Sequence, residues 1–312
     1  MKILTVYNIC GIKHEQVLWY NRCIQSILNQ NHINNKLLVS SCMNSDQCIT
    51  YLKNLFEDNI DICRFKDSYT VNITFNKSVQ EAVKRYGEFD GYFYIDSGVV
   101  LNSGDILEEG VKRLSTKKYS MISYQTDTDT GYETLGFKQD SSIVQIINND
   151  FIIPIGKACN LHAQIFSNDI YKTFDNRIIP DIFRAYCTES TFSFLCSVLH
   201  KEWVIIKDRL LPHNKGVDGA SIGQRHISDT YRNAWNNLLY NRNALDFIND
   251  PKAIEVGLGY EECNNIMNHN INAYNDNYAK YKEELRNVIL KYFYTNHNEL
   301  NYNEIEVEYV GS

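Results

Sequence analysis

Through its first hundred residues the chain alternates short apolar runs with segments whose apolar residues recur every three or four positions, and this alternation constrains its fold most. Residues 2–7 (KILTVY) read as a buried strand ended by Asn8 and Gly11. From His14 to Asn29, Val17, Tyr20, Ile24, Ile27 and Leu28 trace a helical stripe. Residues 36–41 (KLLVSS) predict a second strand, and Ser45 caps a helix whose face is Ile49, Leu52, Leu55 and Phe56. Residues 60–65 predict a third strand. The next helix is expected to start at Ser78, with Glu81 completing a capping box. GYFYI (91–95) then runs apolar without interruption and stops at Asp96. Such a pattern predicts a mainly parallel sheet covered on both faces. Ligands of such sheets bind at the carboxyl ends of the strands. Asn8, Ser41, Cys42 and Asp96 should therefore line one crevice.

Beyond residue 101 the pattern loosens. Residues 119–124, 141–147 and 160–166 predict strands, 168–174 and 189–201 short helices, and 203–206 a closing strand. From about residue 226 the chain turns rich in Asn, Tyr and charge, with an amphipathic helix expected over 274–294. The expected organisation is an α/β domain over 1–225, in two halves, 1–101 and 102–225. A helical C-terminal extension follows over 226–312. The apolar stripe of that last helix needs a partner, either the domain itself or a second subunit in a homo-oligomer.

Composition narrows the function classes. The net charge of −7 is spread along the chain, which argues against a nucleic-acid footprint. The nine cysteines form no CxxC pair, so neither a zinc ribbon nor a thioredoxin-type site is indicated. Their lodging in apolar patterns fits a reducing compartment, and the expected location is the cytoplasm. The first ten residues read as a strand and not a signal peptide, and no apolar stretch is long enough for a membrane span. No GxGxxG follows the first strand and no phosphate-binding P-loop occurs, which removes dinucleotide oxidoreductases and P-loop kinases.

A carboxylate at the end of a buried strand is costly unless it is paired or metal-bound. Asp96-Ser97-Gly98 offers a carboxylate, a hydroxyl and a flexible residue at the crevice. The plainer alternative is that Asp96 only caps a turn. Two other features are read as decoys. TDTDTG (126–131) spells an acidic pair, but its flanks make it an exposed loop with Asp127 and Asp129 solvated. His162 falls in a strand pattern, where a core or edge position is expected.

In order, Asn8, CIQSILNQ (23–30), SSCMNSD (40–46), Asn76 and YFYIDSG (92–98) resemble the nucleotide-binding half of the glycosyltransferase A fold, closest in style to the inverting family 2 enzymes. That resemblance covers residues 1–101 and implies a catalytic domain over 1–225, with 1–101 as its donor half and 102–225 as its acceptor half. It implies a hexosyltransferase-like enzyme that uses a nucleotide sugar, UDP-linked, and Mn2+ or Mg2+, with a glycan or other hydroxyl acceptor. It implies donor contacts from Tyr7, Asn8, Ser41, Asp67, Asn76, Asp96, Ser97 and Lys215, and a metal held by Asp96 and His213. The general base would be Glu189, with Asp181 as the alternative. Two departures stand out. Gly98 replaces the second acid of the Asp-x-Asp motif, and Ser41 or Cys42 replaces the family's base-recognising Asp, for which Asp67 is a substitute. An inactive nucleotide-sugar-binding or interaction protein on the same fold is the non-enzymatic alternative.

Overall fold

The computed structural model describes residues 1–10, 17–42, 44–67, 69–127, 145–147, 150–153, 162–182, 191–213, 251–268, 277–296 and 299–311. Strands β1 (Ile3–Cys10), β2 (Asn35–Cys42), β3 (Asp61–Phe65) and β4 (Gly91–Ile95) alternate with helices α1 (Val17–Leu28), α2 (Asp46–Phe56) and α3 (Val71–Tyr86). Then come α4 (Ile106–Ser115), β5 (Tyr119–Thr126), β6 (Gln145–Ile147), β7 (Asp150–Ile153), β8 (Ala163–Ser167), α5 (Asn168–Thr173), α6 (Phe192–Val198) and β9 (Glu202–Leu211). The described chain closes with α7 (Pro251–Asn268), α8 (Tyr278–Phe293) and β10 (Glu308–Val310).

All ten strands of the described residues join one sheet in the order β10-β3-β2-β1-β4-β8-β5-β9-β7-β6. The central run β3-β2-β1-β4 is parallel throughout. β8 lies antiparallel between β4 and β5, and β9 runs parallel to β5. This is the α/β sheet that the alternation predicts.

Period-two alternation explains how the apolar runs cover both faces. In β4, Tyr92 and Tyr94 enter one core with α3, α6, α7 and α8, while Phe93 and Ile95 enter the other with α1, α2 and α4. Gly110 lets α4 lie close on the sheet, because a Cβ there would meet Ile165 Cδ1 and Tyr124 Oη, each at 2.4 Å. The Tyr124 hydroxyl then donates to the Ile106 carbonyl at 2.7 Å and fixes the contact.

Ser45 caps α2 as expected, accepting from the Cys48 N–H at 3.2 Å. The expected start of α3 at Ser78 is wrong: the helix begins seven residues earlier, at Val71, and Ser78 is buried in its interior. Phe75, Val79 and Ala82 form one continuous buried stripe, so packing overrides a coincidental capping-box spelling. Glu81 pairs with Lys77 at 2.9 Å on the helix flank.

The 274–294 helix is α8, and it buries Leu285, Ile289 and Phe293 against α6 and α7 of the same chain. Each such side chain contributes about 1.5–3 kcal/mol on burial. Downstream, β10 pairs antiparallel with β3, Tyr309 lying opposite Cys63. Residues after 226 therefore supply a sheet strand as well as helices. Residues 226–250 lie outside the described region.

Candidate functional site

Asp96 emerges where β4 ends. Its N–H donates to the His162 carbonyl at 2.8 Å, and its Oδ1 accepts from the Ser97 N–H at 3.0 Å. The turn closes with the Val99 N–H on the Asp96 carbonyl at 3.2 Å. β4 and β8 run antiparallel with Ile95 opposite Ala163, so the residue just before β8 falls beside Asp96. That residue is His162, whose Nδ1 is 3.3 Å from Asp96 Oδ2.

His213 arrives from beyond the end of β9. A bridge pairs it with Val99, the Val100 N–H donates to the Pro212 carbonyl at 3.0 Å, and the His213 N–H donates to Asp127 Oδ1 at 2.8 Å. The His213 ring is buried and its centroid lies 4.2 Å from that of His162. Ligand atoms of Asp96, His162 and His213 all lie within 4.8 Å of one another. One carboxylate and two imidazoles form a donor set suited to a divalent cation, so the residues present fit a metal centre.

Asp96 and His213 thus lie together in space, and His162 joins them. Asp127 differs from expectation: it is exposed, yet its carboxylate is engaged on the His213 backbone. It supports the cluster from outside.

Around this centre the parallel strand ends are cross-tied. Asn8 donates from Nδ2 to the Ile95 carbonyl at 3.3 Å, joining β1 to β4 beside Asp96. Asn44 donates to Ser41 Oγ at 2.9 Å and to the Ile9 and Cys42 carbonyls at 3.3 Å, joining β1 to β2. Asn44 lies within SSCMNSD, where nothing in the sequence marks it for this role. The Cys42 thiol reaches the Asp67 and Tyr69 carbonyls, each at 3.6 Å, while Asp67 itself is exposed at the β3 end. Ser97 is buried next to Asp96. Tyr7 is fully buried, edge-on to Tyr20, and burial holds its phenol well above the usual range.

Asn76 and Asp181 sit deeper. Asn76 Oδ1 accepts from the Ile178 and Ile179 N–H groups at 2.9 and 3.0 Å, and its Nδ2 donates to the Ile179 carbonyl at 2.7 Å. Asn72 adds a bond to the Pro180 carbonyl at 3.1 Å. Asp181 is buried, with Oδ2 accepting from Tyr302 at 2.7 Å and Arg177 at 3.4 Å, and Oδ1 accepting from the Thr295 N–H at 2.5 Å. Burial first, and the Asp181 carboxylate second, push the Tyr302 phenol far up, so it donates to Asp181 as a neutral hydroxyl. Asn76 and Asp181 together bind α3, the 177–182 segment and the chain after α8 into one knot. Glu189 and Lys215 lie outside the described residues.

This architecture is a glycosyltransferase A-type fold. The solved structures that share it include S. aureus TarS residues 1–349, at 13% identity over 92% of this chain and 90% of that one, with a TM-score of 0.52. Mannosyltransferase PcManGT from Pyrobaculum calidifontis, in complex with GDP-Man and Mn2+, matches at 11% identity over 83% of this chain and 68% of its own, TM-score 0.52. GalNAc-T7 with UDP, GalNAc and Mn2+ matches at 7% identity over 77% and 50%, TM-score 0.50. Against the longer TarS structure the chain covers only 43% of that protein. No protein-family model matches the chain, and neither does any curated protein sequence. Identities this low establish the shared fold. No helix among the described residues is long and apolar enough to cross a membrane.

Proposed function

We propose that this chain is a metal-dependent glycosyltransferase that moves a sugar from a UDP-linked donor to a hydroxyl of a glycan or other acceptor, with inversion at the anomeric carbon. The observation that carries the reading is the meeting of Asp96 and His213 at the carboxyl end of the parallel strands, on a fold shared with TarS, PcManGT and GalNAc-T7. TarS in complex with UDP-GlcNAc and GalNAc-T7 with UDP and Mn2+ favour a uridine donor.

In this reading Asp96 and His213 hold Mn2+ or Mg2+, which when bound neutralises charge on the donor diphosphate. Asn8, Ser41, Asp67 and Ser97 line the donor side, and Lys215 adds a point charge toward the phosphates. Asn76 contributes by holding the 178–179 backbone. Glu189 accepts the proton of the acceptor hydroxyl. The freed oxygen attacks the anomeric carbon while the bond to the diphosphate oxygen breaks. Asp181 has both oxygens engaged inside the protein, which favours Glu189 as the base.

The test is incubation of the purified chain with a panel of nucleotide sugars and acceptors, with and without Mn2+, following diphosphate release and acceptor mass. Mn2+-dependent transfer from a UDP-sugar is expected. Donor binding without turnover under every condition would assign the inactive, nucleotide-sugar-binding alternative instead.

A further inference from the structure

We infer that this centre takes up its cation before any nucleotide arrives and discriminates against Mg2+, because His162 supplies the ligand missing at Gly98. The inference rests on reading the cluster as the donor site's metal centre, and it concerns which residue completes that centre and which ions it admits.

Gly98 has no side chain to offer, so Asp96 is the only acid of the motif. A lone carboxylate suits Mg2+, which keeps most of its waters and relies on substrate phosphates for the rest of its shell. The site here is built differently. Asp96 and His162 are a cross-strand pair tied through the backbone at 2.8 Å, which brings their side chains to the same place. His213 is fixed through Val99 and Asp127. All three donors therefore sit on hydrogen-bonded backbone, and little ordering remains to be done when a cation binds. With three ligands from the chain, uptake does not wait for a diphosphate. Two imidazoles among three donors favour Co2+ or Zn2+, with Mn2+ lower in the same order, whereas Mg2+ prefers oxygen.

The alternative account of His162 is a simple hydrogen bond to Asp96. The two accounts separate when the full chain, stripped with a chelator, is titrated with CoCl2 alone. A visible absorption saturating at one Co2+ per chain is expected, displaced by Zn2+ and by a large excess of Mn2+, but not by the same excess of Mg2+. His162→Asn keeps a hydrogen-bonding group beside Asp96 but removes the imidazole. It should weaken Co2+ by about 100-fold or more, the upper end of what even outer-shell changes cost. His162→Asp restores a second acid and should let Mg2+ compete. Undiminished Co2+ binding in His162→Asn, or wild-type binding that appears only after UDP is added, would overturn the inference. The second result leaves the donor-site reading intact. Conversely, Co2+ binding as described with no nucleotide-sugar binding under any metal would sink the functional reading and leave this one standing.

Discussion

Asp96 and His162 are joined twice, by a backbone hydrogen bond of 2.8 Å and by side chains that meet at 3.3 Å. A shift of β8 along β4 would therefore break the side-chain pair and the strand register together. Strand pairing is what holds the candidate metal centre in shape.

Asp96→Asn should abolish Mn2+-dependent donor binding and cut transfer by on the order of 10³ or more. Losing the cation's charge stabilisation removes several kcal/mol, and each 1.36 kcal/mol is tenfold in rate. Calorimetry with UDP and Mn2+ on wild type and variant is the check. Equal metal-dependent affinity in both would exclude Asp96 from the site.

Asp127→Ala should lower Mn2+ affinity about 10-fold while leaving the melting temperature nearly unchanged. Its carboxylate holds the His213 backbone from an exposed position, and outer-shell partners of metal ligands typically carry 10- to 100-fold in affinity. A titration that finds no difference would return Asp127 to the role of a solvated loop residue.

Glu189→Gln and Asp181→Asn should behave in opposite ways. Losing a general base lowers transfer by about 10²–10⁴ and leaves donor binding intact, which is the outcome expected at Glu189. Asp181→Asn breaks a buried ionic knot with Arg177 and Tyr302, a change that costs about 3–5 kcal/mol and appears as a large fall in melting temperature. Normal transfer in Glu189→Gln would reject it as the base.

The acid limb of stability should carry a contribution from Asp61. Burial pushes this carboxyl up, but hydrogen bonds from Lys36, Tyr86 and Tyr309 outweigh burial and hold it below the ordinary value of 3.8. A depressed folded value gives stability that is present above about pH 4 and lost as pH falls through the folded value. The stability advantage of wild type over Asp61→Asn should accordingly be constant from pH 7 to 5 and shrink below about pH 4. An advantage that persists unchanged to pH 2 would contradict the linkage.

What the sequence made legible were local facts. GYFYI ends at Ile95, Ser45 caps α2, and the parallel pairing among β1 to β4 follows from alternation, though their order does not. Facts that depend on pairing were not legible. His162 reads as a core or edge residue, because nothing local says that the strand after it lies antiparallel to β4. Asp127 looked solvated because its partner is the backbone of a residue 86 positions away. The capping-box spelling at Ser78 fails for the same reason: α3 starts at Val71, ahead of its buried stripe of Phe75, Val79 and Ala82, and packing decides the helix start. Residues 308–310 carry too little pattern to announce a strand, and β3 supplies the other half of that signal.

Arg64 and its partner Glu308 are separated by 244 residues, so the open side of β3 is not covered until nearly that much more chain has been made. At about 5–20 residues per second, translation leaves it bare for roughly 10–50 s. An unpaired strand edge is a template for wrong partners, and charged side chains along it are a common deterrent. Arg64 and Lys66 flank that edge, one on β3 and one just past it, and both later receive Glu308. During synthesis the same two cations would guard the nascent sheet against self-association, a duty that ends when β10 arrives.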